Sequence, residues 1–210
     1  MIRAWCMAVL RSSGKAVVVS AVLCISLYGY ARLGAQAGYT GTVVAQRPAP
    51  PLTLETDGER PFSLSSQRGH IVLVYFGYTQ CPDVCPTTLA SLSAVLEQLG
   101  RESKNVSVVF VTLDPAHDTS QRLAAYLGAF SPRPLGLTGT PDQVADAARA
   151  WGIKWRRTDD GRFIDHTSVI TAVDPGGNVR LQYGFEQLTH PVGIANDLRR
   201  ILQQSGDARS

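Results

Sequence analysis

The stretch from His70 to Tyr78, HIVLVYFGY, constrains the fold more than any other part of this 210-residue chain. Its residues are β-branched, aliphatic or aromatic almost throughout, with no alternation of polar and apolar positions. A strand with one wet face alternates at period two, whereas an unbroken run of this kind reads as a strand covered on both faces. Such a strand belongs in a sheet layered with helices, which places the chain in the α/β class.

The flanking sequence extends that reading. Thr79 to Pro86 reads as a loop, followed by a helix from about Pro86 to Leu99. Pro86 suits the first helical position, Leu89, Leu92, Val95, Leu96 and Leu99 recur at helical spacing, and Gly100 ends the run. Val106 to Leu113 is a second buried strand. Asp118 or Thr119 caps a helix to about Phe130, and Thr140-Pro141 opens another to about Trp151. Ser168–Val173 and Val179–Tyr183 read as short strands joined by the loop Asp174-Pro175-Gly176-Gly177-Asn178, and Pro191 to Leu202 is a closing amphipathic helix. Ahead of these, Leu52 to Leu64 holds two short apolar pieces around Asp57-Gly58, a leading hairpin. The order hairpin, βαβ, helix, ββ, helix is the thioredoxin-like arrangement of a central mixed sheet flanked by helices, predicted over residues 52–205.

The N-terminal quarter is organised differently. Residues 1–15 carry Arg3, Arg11 and Lys15, and an apolar run extends from Ala16 to Tyr30, stopping at Arg32. Basic residues before an apolar run hold the N-terminus in the cytoplasm and send the downstream chain across the membrane. Residues 16–35 are therefore either a single-span anchor or a signal peptide cleaved at Ala35-Gln36-Ala37. Both readings put the domain outside the cytoplasm, on the periplasmic face of a bacterial-type inner membrane. Residues 36–51, ending in Pro48, Pro50 and Pro51, read as a tether.

Composition excludes one class of partner. The 20 Lys and Arg against 17 Asp and Glu are scattered, with no basic block and no aromatic-basic interleaving, so nucleic acid is not a partner. The four cysteines fall into two pairs. Cys6 and Cys24 sit in the N-terminal segment and read as inert; Cys81 and Cys85 sit in CPDVC, between a buried strand and a helix N-terminus. That is where α/β sheets expose ligand sites and where thiol pKa values fall. The spacer of Pro82, Asp83 and Val84 is one residue longer than a thioredoxin redox motif. On a helical turn, residues four apart share a face, which brings two sulfurs within reach of one ion and also near disulfide distance. Two soft thiolates select Cu(I), zinc or an iron–sulfur centre, and a structural zinc site wants four ligands that this domain lacks. Of the histidines, His70 opens a strand at the surface, His117 reads as a turn residue and His190 as a helix start. His166 lies in the loop before the Ser168 strand, which in a thioredoxin-like fold approaches the cysteine-bearing helix tip. Asp165 or a neighbouring backbone group can orient its imidazole.

The segments FGYTQCPDVCP, VTLDPAHDT, FSPRPLGLTGT and DHTSVITAVDPGGNV, in that order, resemble the Sco/SenC family of copper chaperones. The resemblance runs from about Phe62 to Leu202. It implies a thioredoxin-like domain anchored by one N-terminal span, which favours an uncleaved anchor over a signal peptide. It also implies that copper, as Cu(I) or Cu(II), is bound through Cys81, Cys85 and His166. The implied role is assembly of the binuclear copper centre of cytochrome c oxidase, with a copper-receiving oxidase subunit as partner and another copper chaperone as a possible donor. Two positions depart from the family pattern: His117 stands where Arg is common, and Ser120 where Pro is common. Both lie away from the ligand motifs.

Two other functions fit parts of the pattern. A thiol–disulfide oxidoreductase would use Cys81 and Cys85 to reduce the oxidase cysteines before metal arrives. A peroxidase would need an activated cysteine with Thr and Arg beside it; Thr79 is available, but no arginine lies close in sequence.

Overall fold

The buried run forms β4 (Ile71–Gly77), every residue of which is buried in the computed structural model. The structure describes residues 38–207; the apolar run, Cys6, Cys24 and the Ala35-Gln36-Ala37 site lie outside them. The other strands are β1 (Thr42–Pro48), β2 (Thr53–Thr56), β3 (Pro61–Ser63), β5 (Val106–Thr112), β6 (Leu135–Thr138), β7 (Trp155–Arg157), β8 (Ile164–His166), β9 (Ile170–Val173) and β10 (Asn178–Tyr183). The α-helices are α1 (Val84–Leu99), α2 (Ser120–Leu127), α3 (Pro141–Ala150) and α4 (Pro191–Asp207).

Eight strands make one sheet in the order β1-β10-β9-β4-β5-β6-β2-β3, and β7 pairs with β8 alone. β4, β5 and β6 are parallel, as the crossovers through α1 and α2 require; β9, β10, β1 and β2 run antiparallel to their neighbours. β4 is central, and the fully enclosed Tyr75, Phe76, Phe110, Leu89 and Leu92 pack around it. The leading hairpin is β2–β3, with Leu54 opposite Phe62. α3 opens at Thr140-Pro141 as predicted, and there Thr140 forms a full capping box with Gln143.

Four features correct the sequence reading. First, α1 begins at Val84 rather than Pro86, so Cys85 lies in its first turn instead of the loop. Second, the stretch predicted as a tether contains β1, which pairs with β10 (Thr42 with Gln182, Pro48 with Asn178). Its side chains are largely exposed, so backbone hydrogen bonds hold it without an apolar pattern. Its approach is fixed by Asp197 of α4, which is 2% exposed and accepts from the Thr40 and Gly41 amides at 3.1 and 2.9 Å. Gly41 is required there, because a Cβ would lie 2.5 Å from the Tyr183 ring. Third, β6 lies within a segment with no predicted strand. Gly136 interrupts its apolar pattern, and a Cβ at that position would lie 2.7 Å from Leu127 of α2. Fourth, the loop predicted around His166 is the second strand of the β7–β8 hairpin.

Candidate functional site

The end of β4 and the start of α1 meet at Gly77. A Cβ on Gly77 would fall 2.9 Å from Cys85 Sγ and 2.8 Å from the Phe110 ring, so the missing side chain makes the space that Cys85 occupies. Cys85 is fully buried and Cys81 half-buried, and both are free thiols. The Cys85 amide donates to Cys81 Sγ at 3.3 Å, and the Tyr75 hydroxyl donates to Cys85 Sγ at 3.4 Å.

The loop carrying the cysteines is held by a buried carboxylate. Asp118, wholly enclosed, accepts from the Thr79 amide at 3.0 Å, the Thr79 hydroxyl at 2.5 Å and the Thr112 hydroxyl at 2.6 Å. Sequence leaves Asp118 and Thr119 as alternative caps of α2. Thr119 takes that role, accepting from the Arg122 amide, and Asp118 is thereby free to reach Thr79.

His166 comes from the β7–β8 hairpin. Its Nδ1 stands 3.1 Å from the Thr167 carbonyl, which can only accept, so the proton sits on Nδ1 and the Nε2 lone pair is free. Nε2 lies 3.9 Å from Cys85 Sγ. The rings of Tyr75 and Tyr78 flank the imidazole at 6.4 and 6.1 Å. Of the two groups able to orient it, the backbone does so: Asp165 pairs instead with Arg156 at 3.0 Å, in solvent. The hairpin is pinned at two points, where the Ile164 amide donates to the Tyr78 hydroxyl at 3.2 Å and Arg157 pairs with buried Asp114 at 2.7 Å. The same Asp114 oxygen takes Nδ1 of His117, which is 54% exposed. His70 and His190 are exposed and apart from the thiols' hydrogen-bond partners.

The two thiols are electrostatically unlike. A hydrogen bond from the Cys85 thiol, with further ones from the Cys85 and Asp83 amides, draws the Cys81 thiol down to about 4 against the opposing effect of burial. The neighbouring Cys81 sulfur and burial push the Cys85 thiol up. Both cysteines stand at a helix N-terminus, which favours thiolates. At Cys85 that preference loses to full enclosure and to the adjacent negative sulfur. The pair is a thiolate at Cys81 held by a protonated Cys85.

Such a donor set fits a soft ion. Bonds of about 2.3 Å to sulfur and 2.0 Å to nitrogen at 120° set an S···N separation of roughly 3.7 Å, against the 3.9 Å between Cys85 and His166. Among the described residues, no three Cys, His, Asp or Glu side chains close fully about one point. Of the supporting residues, sequence singled out Asp118 only as an alternative cap of α2, and Tyr75, Tyr78, Asp114 and Arg157 not at all; the one signal is the DPAHDT segment, whose two aspartates are the ones buried.

The SCO1/SenC family model matches residues 44–203. The chain is 39% identical over 141 residues to the human mitochondrial protein SCO2 homolog, covering 64% of this chain and 52% of that one. It is 32% identical over 159 residues to the Arabidopsis thaliana mitochondrial protein SCO1 homolog 1, covering 71% and 47%. It thus spans about half the length of these curated relatives. Among solved structures, the Bradyrhizobium japonicum ScoI protein with copper bound superposes with a TM-score of 0.66 at 33% identity, over 74% of this chain and 99% of that one. The buried strand leading into CPDVC, the thioredoxin-like sheet and the match across most of the domain lead to one conclusion: this chain belongs to the SCO1/SenC family.

Proposed function

We propose that the chain carries copper as cargo on Cys81, Cys85 and His166, and delivers it to, or prepares, the binuclear copper centre of cytochrome c oxidase. It would do so from the periplasmic side of the membrane, tethered by residues 16–35. The observation that carries this reading is the free Nε2 lone pair of His166, 3.9 Å from one sulfur of a dithiol whose other sulfur is already a thiolate. Two thiolates and an imidazole leave a coordination position open. A partner thiolate can enter there and displace the ligands one at a time, so copper passes across without being released. Half-exposure of Cys81 and His166 suits that exchange.

The reading is tested by metal analysis of the full chain purified in detergent. Wild type holds about one copper, and Cys81→Ala and Cys85→Ala hold almost none. His166→Ala loses Cu(II) far more than Cu(I), because imidazole favours the harder oxidation state. Equal loss of both would remove His166 from the role given it.

A second reading has its own support. A thiolate at Cys81 backed by a protonated Cys85 is the arrangement of an attacking and a resolving cysteine. Cys81 would attack a target disulfide, and Cys85 would then attack Cys81, leaving the target reduced and Cys81–Cys85 oxidised. Disulfide exchange in the absence of copper, with a peptide bearing the oxidase cysteine pair, distinguishes the two. The peroxidase reading has no support, since the Thr79 hydroxyl is committed to Asp118.

A further inference from the structure

Three large apolar side chains stand exposed among the described residues: Val43, Phe185 at 51% and Val192 at 55%. Val43 lies on the edge strand β1, whose side chains face water almost throughout. Phe185 and Val192 instead bracket the connection from β10 to α4, and that connection is braced. The Gly184 amide donates to the Gln187 side chain at 3.0 Å, the Thr189 hydroxyl to the Glu186 carbonyl at 2.7 Å and the Leu188 amide to the Phe185 carbonyl at 3.2 Å. Residues Gln187–Thr189 form a 3-10 turn that packs against α1, with Leu188 sunk into the core. Phe185 is therefore held outward on a fixed backbone. Apolar side chains scattered singly over a surface are ordinary, but two on one braced connection beside a site mark a contact face.

The register of the sheet sets that connection beside the thiols. Tyr75 of β4 stands opposite Ile170 of β9, and Ile170 opposite Tyr183 of β10. β4 and β10 both run antiparallel to β9, so they end at the same edge of the sheet. Cys81 follows Tyr75 there, and Phe185 follows Tyr183. Two strand spacings of about 4.8 Å separate β4 from β10, so Phe185 leaves the sheet roughly 10 Å from the strand that leads to the cysteines. A protein that takes copper from Cys81 brings its own ligands into contact at that sulfur. Even a small specific interface covers about 600 Å² on each side, a disc roughly 14 Å in radius. Centred on Cys81, such a disc reaches the Phe185 turn. Interfaces are anchored by aromatic and apolar side chains at their core and ringed by polar ones. The hairpin that carries His166 presents Lys154, Arg156 and Asp165 to solvent, which suits a rim.

We infer that Phe185 and Val192 are the apolar anchor of the face that docks the copper-receiving protein. The matching surface on that partner is an uncharged apolar pocket beside its own metal site. The inference rests on the copper reading above and adds to it where the partner sits.

The test compares wild type, Phe185→Ser, Phe185→Leu and Val192→Ser, each as the full chain in detergent, loaded with copper and mixed with the oxidase subunit bearing an empty binuclear site. A wild type that loads no copper, or passes none on, defeats the copper reading and this inference with it. Given transfer by wild type, all three variants load as much copper and melt at the same temperature, because the side chains they change are exposed. Phe185→Ser binds the subunit about tenfold more weakly and transfers copper correspondingly more slowly; Val192→Ser changes in the same direction, and Phe185→Leu loses less because it keeps an apolar side chain. Unchanged affinity and transfer in Phe185→Ser overturn the inference. Reduced copper loading or a lower melting temperature in Phe185→Leu also overturns it, since the ring would then serve the fold. A wild-type dimer that Phe185→Ser dissociates while transfer is unaltered assigns the face to a second copy of the chain, and overturns it as well.

Discussion

At the scale of single residues, the site depends on the asymmetry of two cysteines that the sequence presents as equals. Cys81 precedes the helix and is half-buried; Cys85 lies inside its first turn, sealed by Tyr75 and by the space over Gly77. A single shared proton therefore resides on Cys85. That asymmetry sets the sign for reactivity. A thiol whose folded pKa lies near 4 stays a thiolate as pH falls, where an ordinary thiol is protonated below roughly 8.5. The same depression makes Cys81 favour the folded state, fully so above the unfolded pKa, with the effect lost as pH falls through about 4. Alkylation of Cys81 by iodoacetamide should hold its rate from pH 8 down to about 5 and drop below that, whereas the urea-unfolded chain should lose about tenfold per pH unit. In Cys85→Ala, which lacks the donating thiol, the fall-off should move toward that of an ordinary thiol. A wild-type profile matching the unfolded chain would contradict the shared-proton description. The cysteines and His166 were legible because their identity and spacing carry the chemistry. Tyr75 and Asp118 were not, because a buried tyrosine or aspartate shows its partner only once the sheet has brought residues 10 and 39 apart together.

At the scale of elements, His166 is positioned by a hairpin that no periodicity announces. β7 and β8 are three residues each, and Trp155, Arg156 and Arg157 are intermediate or exposed, so no apolar alternation marks them. β1 and β6 escaped notice for related reasons, one pairing by backbone with its side chains in water, the other interrupted by Gly136. The long elements were legible, since β4, β5 and α1 carry apolar runs or helical spacing and α3 opens at Thr140-Pro141. The hairpin is not part of the main sheet; beyond the packing of buried Ile164, its orientation rests on the Asp114–Arg157 pair and the Ile164–Tyr78 hydrogen bond. Arg157 is 40% exposed, which screens the pair, but its partner is only 3% exposed and would be left without that cation. Arg157→Ala should raise amide exchange at Ile164 and His166 roughly tenfold while β4 and β5 keep their protection. Copper should also leave the variant faster, since His166 spends less time facing the thiols. Unaltered exchange at Ile164 would show that the Asp114–Arg157 pair is not what holds the hairpin.

At the scale of the whole molecule, the sheet separates the site from the strand that enters it. Reading across β1, β10, β9 and β4, the N-terminal strand lies three positions from the strand that ends at the cysteines. It is secured by β10 at both of its ends, Thr42–Val43 and Arg47–Pro48, and by the Asp197 carboxylate just before its start, which also accepts from the Tyr183 hydroxyl at 3.3 Å. Burial raises the pKa of Asp197, and the Gly41 and Thr40 amides oppose that rise. The charged form thus costs stability that its backbone donors partly offset. A chain beginning at Leu52 removes both amides and exposes the edge of β10, so a buried carboxylate loses donors and a sheet loses a strand. A chain beginning at Tyr39 keeps both. The shorter chain should melt lower by roughly 5–10 °C, from an unpaired buried acceptor and lost ladder bonds at about 2–4 °C per kcal/mol for a domain of this size. Its copper stoichiometry should equal that of the longer chain, because β4, α1 and the β7–β8 hairpin are intact in both. Equal melting temperatures would return residues 39–51 to the role of a tether. Loss of copper from the shorter chain alone would mean instead that the edge strand and the thiol site share one cooperative unit.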